Sequence, residues 1–266
     1  MNTQTLPPKP KVSIWKKIKR ALIVLIIIAI YVWTFVGIEI EWDRALERIS
    51  RNFGVVIPKL LSPDWSQLGK VSASMLETIF IAFAGTFMAA ILALPLGFLA
   101  AQNMSGSKFI AGIGKWILSA IRAFPNLILA ILFVVAVGVN AFAGVLAIAI
   151  GSIGMLGKLY SEVVESIDMK IVEAMEATGA NKIQILFYGY LPQIIPEFLS
   201  YAIYRFEIDI RASSILGLVG AGGIGTMILF AANNREWNEM GLILLAIIIV
   251  VTVIDFFSAR IRRKIV

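Results

Sequence analysis

Apolar runs long enough to cross a membrane recur along the chain, separated by short polar stretches. Residues 21–38, ALIVLIIIAIYVWTFVGI, carry no charge and predict a first transmembrane helix. Residues 75–101 predict a second, with Pro95 and Gly97 near its end. Residues 116–137 predict a third, carrying Arg122 and Pro125. A fourth, roughly 142–158, is rich in Gly and Ala. Small residues let helix backbones approach closely, so this helix is expected at the centre of a bundle. Residues 191–232 form a long fifth span broken by GLVGAGGIG at 217–225, and 241–257 form the sixth. The expected fold class is an all-α integral membrane protein of about six transmembrane helices.

Composition agrees. The 266 residues have a mean hydropathy of +0.87 and only 15% charged residues. The net charge of +7 does not point to nucleic acid, because the cations flank apolar spans where the positive-inside rule puts them. The lipid bilayer is the partner this charge pattern fits. There is no cysteine and no histidine. That removes disulfides, thiolate metal sites, the commonest metal ligand and the usual proton relay. A histidine-based hydrolase or proton pump is excluded, and no metal or other cofactor is expected in this chain.

The charge rule also orients the spans. Residues 1–20 hold Lys9, Lys11, Lys16, Lys17, Lys19 and Arg20 and no acid, and read as a cytoplasmic segment, mobile up to about residue 12. No small-residue cleavage site follows the first apolar run, which reads as an uncleaved span. Residues 39–74 balance five acids against five bases and fit the outside. Within them RALERISRNF reads as an amphipathic interfacial helix or a solvated connector. The loop at 102–115 is inside, the turn at 138–144 outside, the loop at 159–190 inside and 233–240 outside. The tail at 258–266, with Arg260, Arg262, Arg263 and Lys264, is inside. Both termini are thus cytoplasmic. The chain divides into the basic segment 1–20, a first helix and external connector at 21–70, a transmembrane domain at 71–257, and the tail.

Two features carry candidate chemistry. The first is the polar stretch EAMEATGANKIQILFYGYLP at 173–192, which must fold outside the bilayer. VEAMEAT favours helix, Gly179 is placed to cap it, and a second helix, NKIQILFYGY, runs to Leu191 and Pro192, where a change of direction is expected. Low relief at Ala174, Ala177 and Ala180 beside Glu173 suits docking into a groove. An ordinary helical connector reads equally well. The second feature is YRFEIDIRASS. It puts Arg205, Glu207, Asp209 and Arg211 about 20 to 29 Å beyond Pro192, within a hydrocarbon core about 30 Å thick. Arg205 with Asp209 and Glu207 with Arg211 are i,i+4 and could pair. Such pairs either hold helices together or line an anion pathway, with Arg211 the preferred pathway residue and Arg122 the second. Arg122 lies near the inner side of its span and reads as readily as an interfacial residue that snorkels to the headgroups. Ser213 and the glycines Gly222 and Gly223 complete the pathway candidates. The glycine run follows no strand, so it is no dinucleotide loop; it reads as broken backbone that lines the pathway or as close helix packing.

The spacing of Glu173-Ala174-Met175, Gly179 and Leu191-Pro192 resembles the EAA motif of ABC importer permeases. Two positions depart from it: Met175 replaces an alanine, and Gly189 stands where isoleucine is usual. ETIFIAFAGT (77–86), RAFPNLILAILFVVAVG (122–138), IGMLGKLYSEVVE (153–165) and RASSILGLVGAGGIG (211–225) are similar to the phosphonate importer permease family. The resemblance covers about residues 70–260. It implies a type I importer permease fold (MetI-like) in a bacterial cytoplasmic membrane. It also implies that Glu173, Ala174, Gly179, Leu191 and Pro192 form the loop that seats in an ATPase cleft. Two ATPase subunits carrying ATP and Mg, an extracytoplasmic phosphonate-binding protein and a second permease copy would be the partners. No Walker A sequence occurs here, so the chain itself is not expected to be an enzyme. A permease for another small solute such as methionine, or a membrane scaffold that docks a cytosolic partner, remains open.

Overall fold

The structure, a computed structural model, describes residues 14–37 and 41–265. The basic residues Lys9 and Lys11, the N-terminal prolines and Glu39 lie outside the described residues. The chain divides into two units, residues up to 57 and residues from 58.

The first unit holds α1 (Ile14–Gly37) and most of α2 (Trp42–Leu60). The helix α1 begins seven residues before the apolar run, so Lys16, Lys17, Lys19 and Arg20 lie on its first turns. In α2 the apolar residues Leu46, Ile49 and Phe53 recur at helical spacing and are exposed. Its charged residues pair locally, Arg44 with Glu41 at 2.6 Å and Arg51 with Glu47 at 2.8 Å. This is the amphipathic helix the sequence allows, longer than RALERISRNF. Its exposed ion pairs add little stability.

The second unit is built on α3 (Leu68–Ala100) packed along α6 (Ala141–Glu165). A short 3₁₀ turn, Trp65–Gln67, precedes α3. Asp64 caps it by accepting from the Ser66 amide, which holds the Asp64 carboxyl below its ordinary value. The α3–α6 contact follows from small residues. A Cβ on Gly85 would lie 2.7 Å from the Ile148 side chain, and one on Gly97 would lie 2.8 Å from Tyr160. Fifteen residues of α6 are buried, the most of any helix among the described residues. The central position expected for the Gly- and Ala-rich span is therefore observed, and its helix runs on to Glu165.

The third span differs from the sequence reading. It is two helices, α4 (Lys108–Arg122) and α5 (Asn126–Val137), bent by 79° at Ala123–Pro125. The loop before it is only 101–107, shorter than the 102–115 read from the sequence, because α4 starts at Lys108 under a Ser107 cap. Pro125 has no amide hydrogen and disfavours helix at Phe124, which fixes the break. On α4, Lys115 pairs with Glu165 at 2.8 Å, Leu118 packs on Gly157, and the Arg122 backbone packs on Gly154. The helix thus runs antiparallel to α6.

The fifth span begins as a short helix, α8 (Lys182–Gln184), and a π-helical turn at Ile185–Tyr190. It continues as α9 (Leu191–Leu216) and a 3₁₀ turn at Gly217–Val219. After a 48° bend comes α10 (Ile224–Asn234). The expected break at the glycines is present. The expected change of direction at Pro192 is not. The π turn shifts the hydrogen-bond register, so that the Leu191 amide donates to Leu186 and the helix passes through Pro192. The last helix, α11 (Trp237–Ile265), includes the basic residues read as a tail; they form its final turns. Among the described residues four helices are long and apolar enough to cross a membrane, or up to six if each bent pair is one span.

Replacing Gly85 with Val overpacks the α3–α6 contact. A loss of about 1–3 kcal/mol is expected, read as a lower melting temperature in detergent. Gly112, which faces open space on α4, provides the contrast. Gly112→Ala should leave that temperature unchanged or raise it.

Candidate functional site

Four charges of α9, at Arg205, Glu207, Asp209 and Arg211, are met by groups from three other helices as well as from α9 itself. Asp209 is fully buried, and its Oδ2 accepts from Thr86 Oγ1 of α3 at 2.9 Å and Ser152 Oγ of α6 at 2.7 Å. Arg205 Nη2 lies 2.9 Å from Asp209 Oδ1, and its Nε donates to Ser152 Oγ at 2.9 Å. The expected Arg205–Asp209 pair is present, and it binds α3, α6 and α9 into one unit. Ser152 lies 13 residues before the end of α6, about 20 Å from that end, so the cluster sits near mid-depth.

The expected Glu207–Arg211 pair does not form. Glu207 pairs with Arg262 of α11, with its Oε1 2.9 Å from Nη2, while the aligned hydrogen bond goes to Oε2 at 3.3 Å. Arg211 pairs with Asp255 of α11 at 2.5 Å. Arg262 also stacks over the Tyr204 ring at 5.4 Å. The antiparallel α11 supplies an opposite charge to each, and Coulomb attraction in a poorly screened site favours these partners over the weak pairing along one helix. Asp255 is the one acid within the sixth apolar run, and that was the signal from which its partnership could have been found. Thr86 and Ser152 gave no comparable signal.

The glycine break is held by protein groups, as backbone at membrane depth requires. Gly220, Gly222 and Gly223 have φ of +87°, +81° and +74°, which side chains rarely adopt. Thr78 Oγ1 accepts the Ile224 amide at 2.7 Å. Gly223 lies against Thr78, and Gly222 against Ala141 and the Glu77 carboxylate. Ser213 is buried at the same contact, its hydroxyl 3.4 Å from the Thr78 carbonyl. Arg122 is exposed at the α4–α5 break and, among the described residues, has no carboxylate at ion-pair distance.

The loop between α6 and α9 contains α7 (Met169–Ala177). Asp168 caps its start, and Gly179, at φ +81°, ends it with an Ala180 amide bond back to Met175. Asn181 and Gln184 cap the second helix reciprocally, each accepting the other's amide at 2.9 and 2.8 Å. Gln193, not singled out in the sequence, ties the two parts together. Its Oε1 accepts the Asp168 amide at 3.0 Å and its Nε2 donates to the Gly189 carbonyl at 2.7 Å. Glu173 and Ala174 are exposed, with Ile171, Ile183, Phe187 and Tyr188 exposed nearby. Leu191 is half-buried and Pro192 exposed.

The two departures from the EAA pattern meet in space. A Cβ on Gly189 would lie 3.3 Å from Met175 Sδ. A longer side chain at 175 occupies the room left by a missing one at 189. Gly189→Ile alone should therefore lower the yield of folded protein, and adding Met175→Ala should restore most of it, as read by size-exclusion chromatography in detergent. At the clamp, Asp209→Ala strands a buried guanidinium. It should cost about 3–5 kcal/mol in the same preparation's thermal melt, while Arg205→Met with Asp209→Leu should cost much less.

Comparison with known proteins fits this architecture. Residues 93–266 match the family described as binding-protein-dependent transport system inner membrane component. The chain is 36% identical to the phosphite transport system permease protein PtxC of Stutzerimonas stutzeri, over 94% of this chain and 90% of that one. It is 33% identical to the phosphate-import permease protein PhnE of Mycolicibacterium smegmatis, over 80% of this chain and 40% of that one. Its fold is similar to a chain of the inward-facing MetNI methionine ABC transporter, at a TM-score of 0.65 and 22% identity, covering 76% of this chain and 99% of that one. The expected all-helical, MetI-like permease fold is thus observed, and the chain belongs to the family of binding-protein-dependent transport system inner membrane components.

Proposed function

We propose that this chain is the membrane-spanning subunit of an ATP-driven importer that carries phosphonate, or a related small phosphorus oxyanion, across a bacterial cytoplasmic membrane. The similarity to a phosphite transport permease over nearly the whole of both chains supports the substrate class most directly. The exposed, doubly capped loop around Glu173 supports coupling to ATPase subunits. Two such subunits would bind ATP and Mg. An extracytoplasmic binding protein would deliver the anion, and a second copy of the permease would complete the pathway. Closure of the ATPases would move the loops and open the pathway outward, and hydrolysis would reset it.

Within this reading Arg205, Glu207, Asp209 and Ser213 act as clamps between helices, and Gly222 and Gly223 as the fixed bend. Arg211 reaches the pathway only with its charge shared with Asp255. Glu173, Ala174, Gly179, Leu191 and Pro192 form the ATPase-docking element, with Ile183 and Phe187 adding apolar contact area beside Glu173.

The test is reconstitution with the ATPase and the binding protein in liposomes. Methylphosphonate or phosphite should stimulate ATP hydrolysis. Glu173→Ala should reduce that stimulation at least several-fold while the chain remains in the membrane. Stimulation by methionine alone would reassign the substrate, and stable assembly with no solute response would favour a scaffold.

A further inference from the structure

The helix α2 carries an apolar face whose large side chains are exposed. At about 100° per residue, Trp42, Leu46, Ile49, Phe53, Ile57 and Leu60 fall within one arc about 120° wide. Trp42, Leu46, Ile49 and Phe53 are each more than half exposed. Arg44, Glu47, Arg48 and Arg51 lie on the rest of the circumference.

The two ends of the helix decide what this face meets. Its last turn is tied to the start of α11. The Leu60 carbonyl lies against Gly241, and Leu60 packs on the cluster that holds Met240, Leu242 and Ile243. Just beyond, Asn238 Nδ2 donates to the Ser62 carbonyl at 2.6 Å, and the Asp64 amide donates to the Asn238 carbonyl at 3.2 Å. The apolar run of α11 begins at Gly241, so α2 ends at one edge of the hydrocarbon core. It does not cross that core itself, because it holds six charged residues from Asp43 to Lys59. Its first turn is tethered as well. The helix α1 is long and apolar enough to span the membrane, and its charge-free run reaches residue 38. The chain from Gly37 to Trp42 reaches at most about 18 Å. An upright α2 would hold Trp42 about 27 Å above the surface, beyond that reach. The helix therefore lies nearer the membrane plane than its normal.

We infer that α2 is a lipid-binding helix, lying in the headgroup layer at the face where α11 begins, with Trp42, Leu46, Ile49 and Phe53 in the acyl chains. The occupant of the stripe is the bilayer and not the binding protein. An indole suits this depth, with an apolar body and one polar N–H. The arginines point to the headgroups and water. Within the helix four bases stand against two acids, and Glu41 and Glu47 each pair with an arginine. Apolar area therefore holds α2 at the surface more than charge does. Through Leu60 and Gly241 the start of α11 is then moored to the same leaflet. The inference does not rest on the transport function; it needs only the membrane placement of the family.

The chain contains no cysteine, so single cysteines introduced at each position from 44 to 53 report on those positions alone. Each is labelled with a nitroxide in the complex with the ATPase, in nanodiscs of phosphatidylcholine and phosphatidylglycerol. Collision with dissolved oxygen, which concentrates in acyl chains, is compared with collision with a water-soluble nickel complex. The ratio of oxygen to nickel collision should be several-fold higher at 46, 49 and 53 than at 44, 48 and 51. It should rise and fall with the helical period across the scan, so the loss of any one variant leaves the pattern readable. Adding the binding protein should not change it. Nickel access at 46, 49 and 53 equal to that at the arginine positions would make α2 a solvated connector and overturn the inference. Shielding of those three positions from both agents would overturn it too, by placing protein on the stripe. Shielding that appears only with the binding protein would name that protein as the occupant instead of lipid.

Discussion

The fold depends on a carboxylate that cannot reach water. Asp209 has no exposed surface, and the donors around it come from α3, α6 and α9. A buried carboxylate is tolerable only where its donors are all in place, so the three helices are held in one rotation and one register. Close approach makes this possible. Gly85 and Gly97 bring α3 onto α6 near enough for Thr86 and Ser152 to share a single oxygen. A one-residue slip of any of the three helices would turn a hydroxyl or the guanidinium away and leave the charge unmet.

The same reasoning orders the outer helices. Two further charges of α9, Glu207 and Arg211, set the register of α11 through Arg262 and Asp255. The Arg211–Asp255 pair is largely exposed and is worth little in stability, while Glu207 of the other pair is buried. Their effect is on arrangement: two opposite-sign pairs on antiparallel helices specify one alignment and penalise a shifted one. The glycine break is fixed more by shape than by charge, with Thr78 and Glu77 pressed against backbone that has no side chains to keep them off.

Much of this was legible in the sequence. The apolar runs gave the helices, and the spacing around Glu173 and Gly179 marked the loop. The misread parts have physical reasons. Lys108 and Lys115 looked like loop residues because their charges hide that α4 is already helical and packs its small residues on α3 and α6. Glu207 and Arg211 have favourable spacing along one helix, but spacing carries no information about which other helix lies alongside. Met175 and Gly189 were visible as two separate departures from a motif. Only their contact shows that one makes room for the other. Pro192 was read as a corner because the register shift that lets a helix pass through it leaves no mark in the sequence.

That passage through Pro192 has a mechanical meaning. From Lys182 to Val219 the chain is helical without a sharp bend, a rod of about 57 Å at helical rise. One end carries the loop on which cytosolic subunits would press, and the other ends at the glycines. A stiff rod does not dissipate a rotation. The Asp209 cluster sits nearly three-quarters of the way along. A pivot there of about 5° would swing the loop end by about 3.5 Å and the glycine end by about 1 Å, so a large movement at the loop would be geared down to a small tilt beside the glycines.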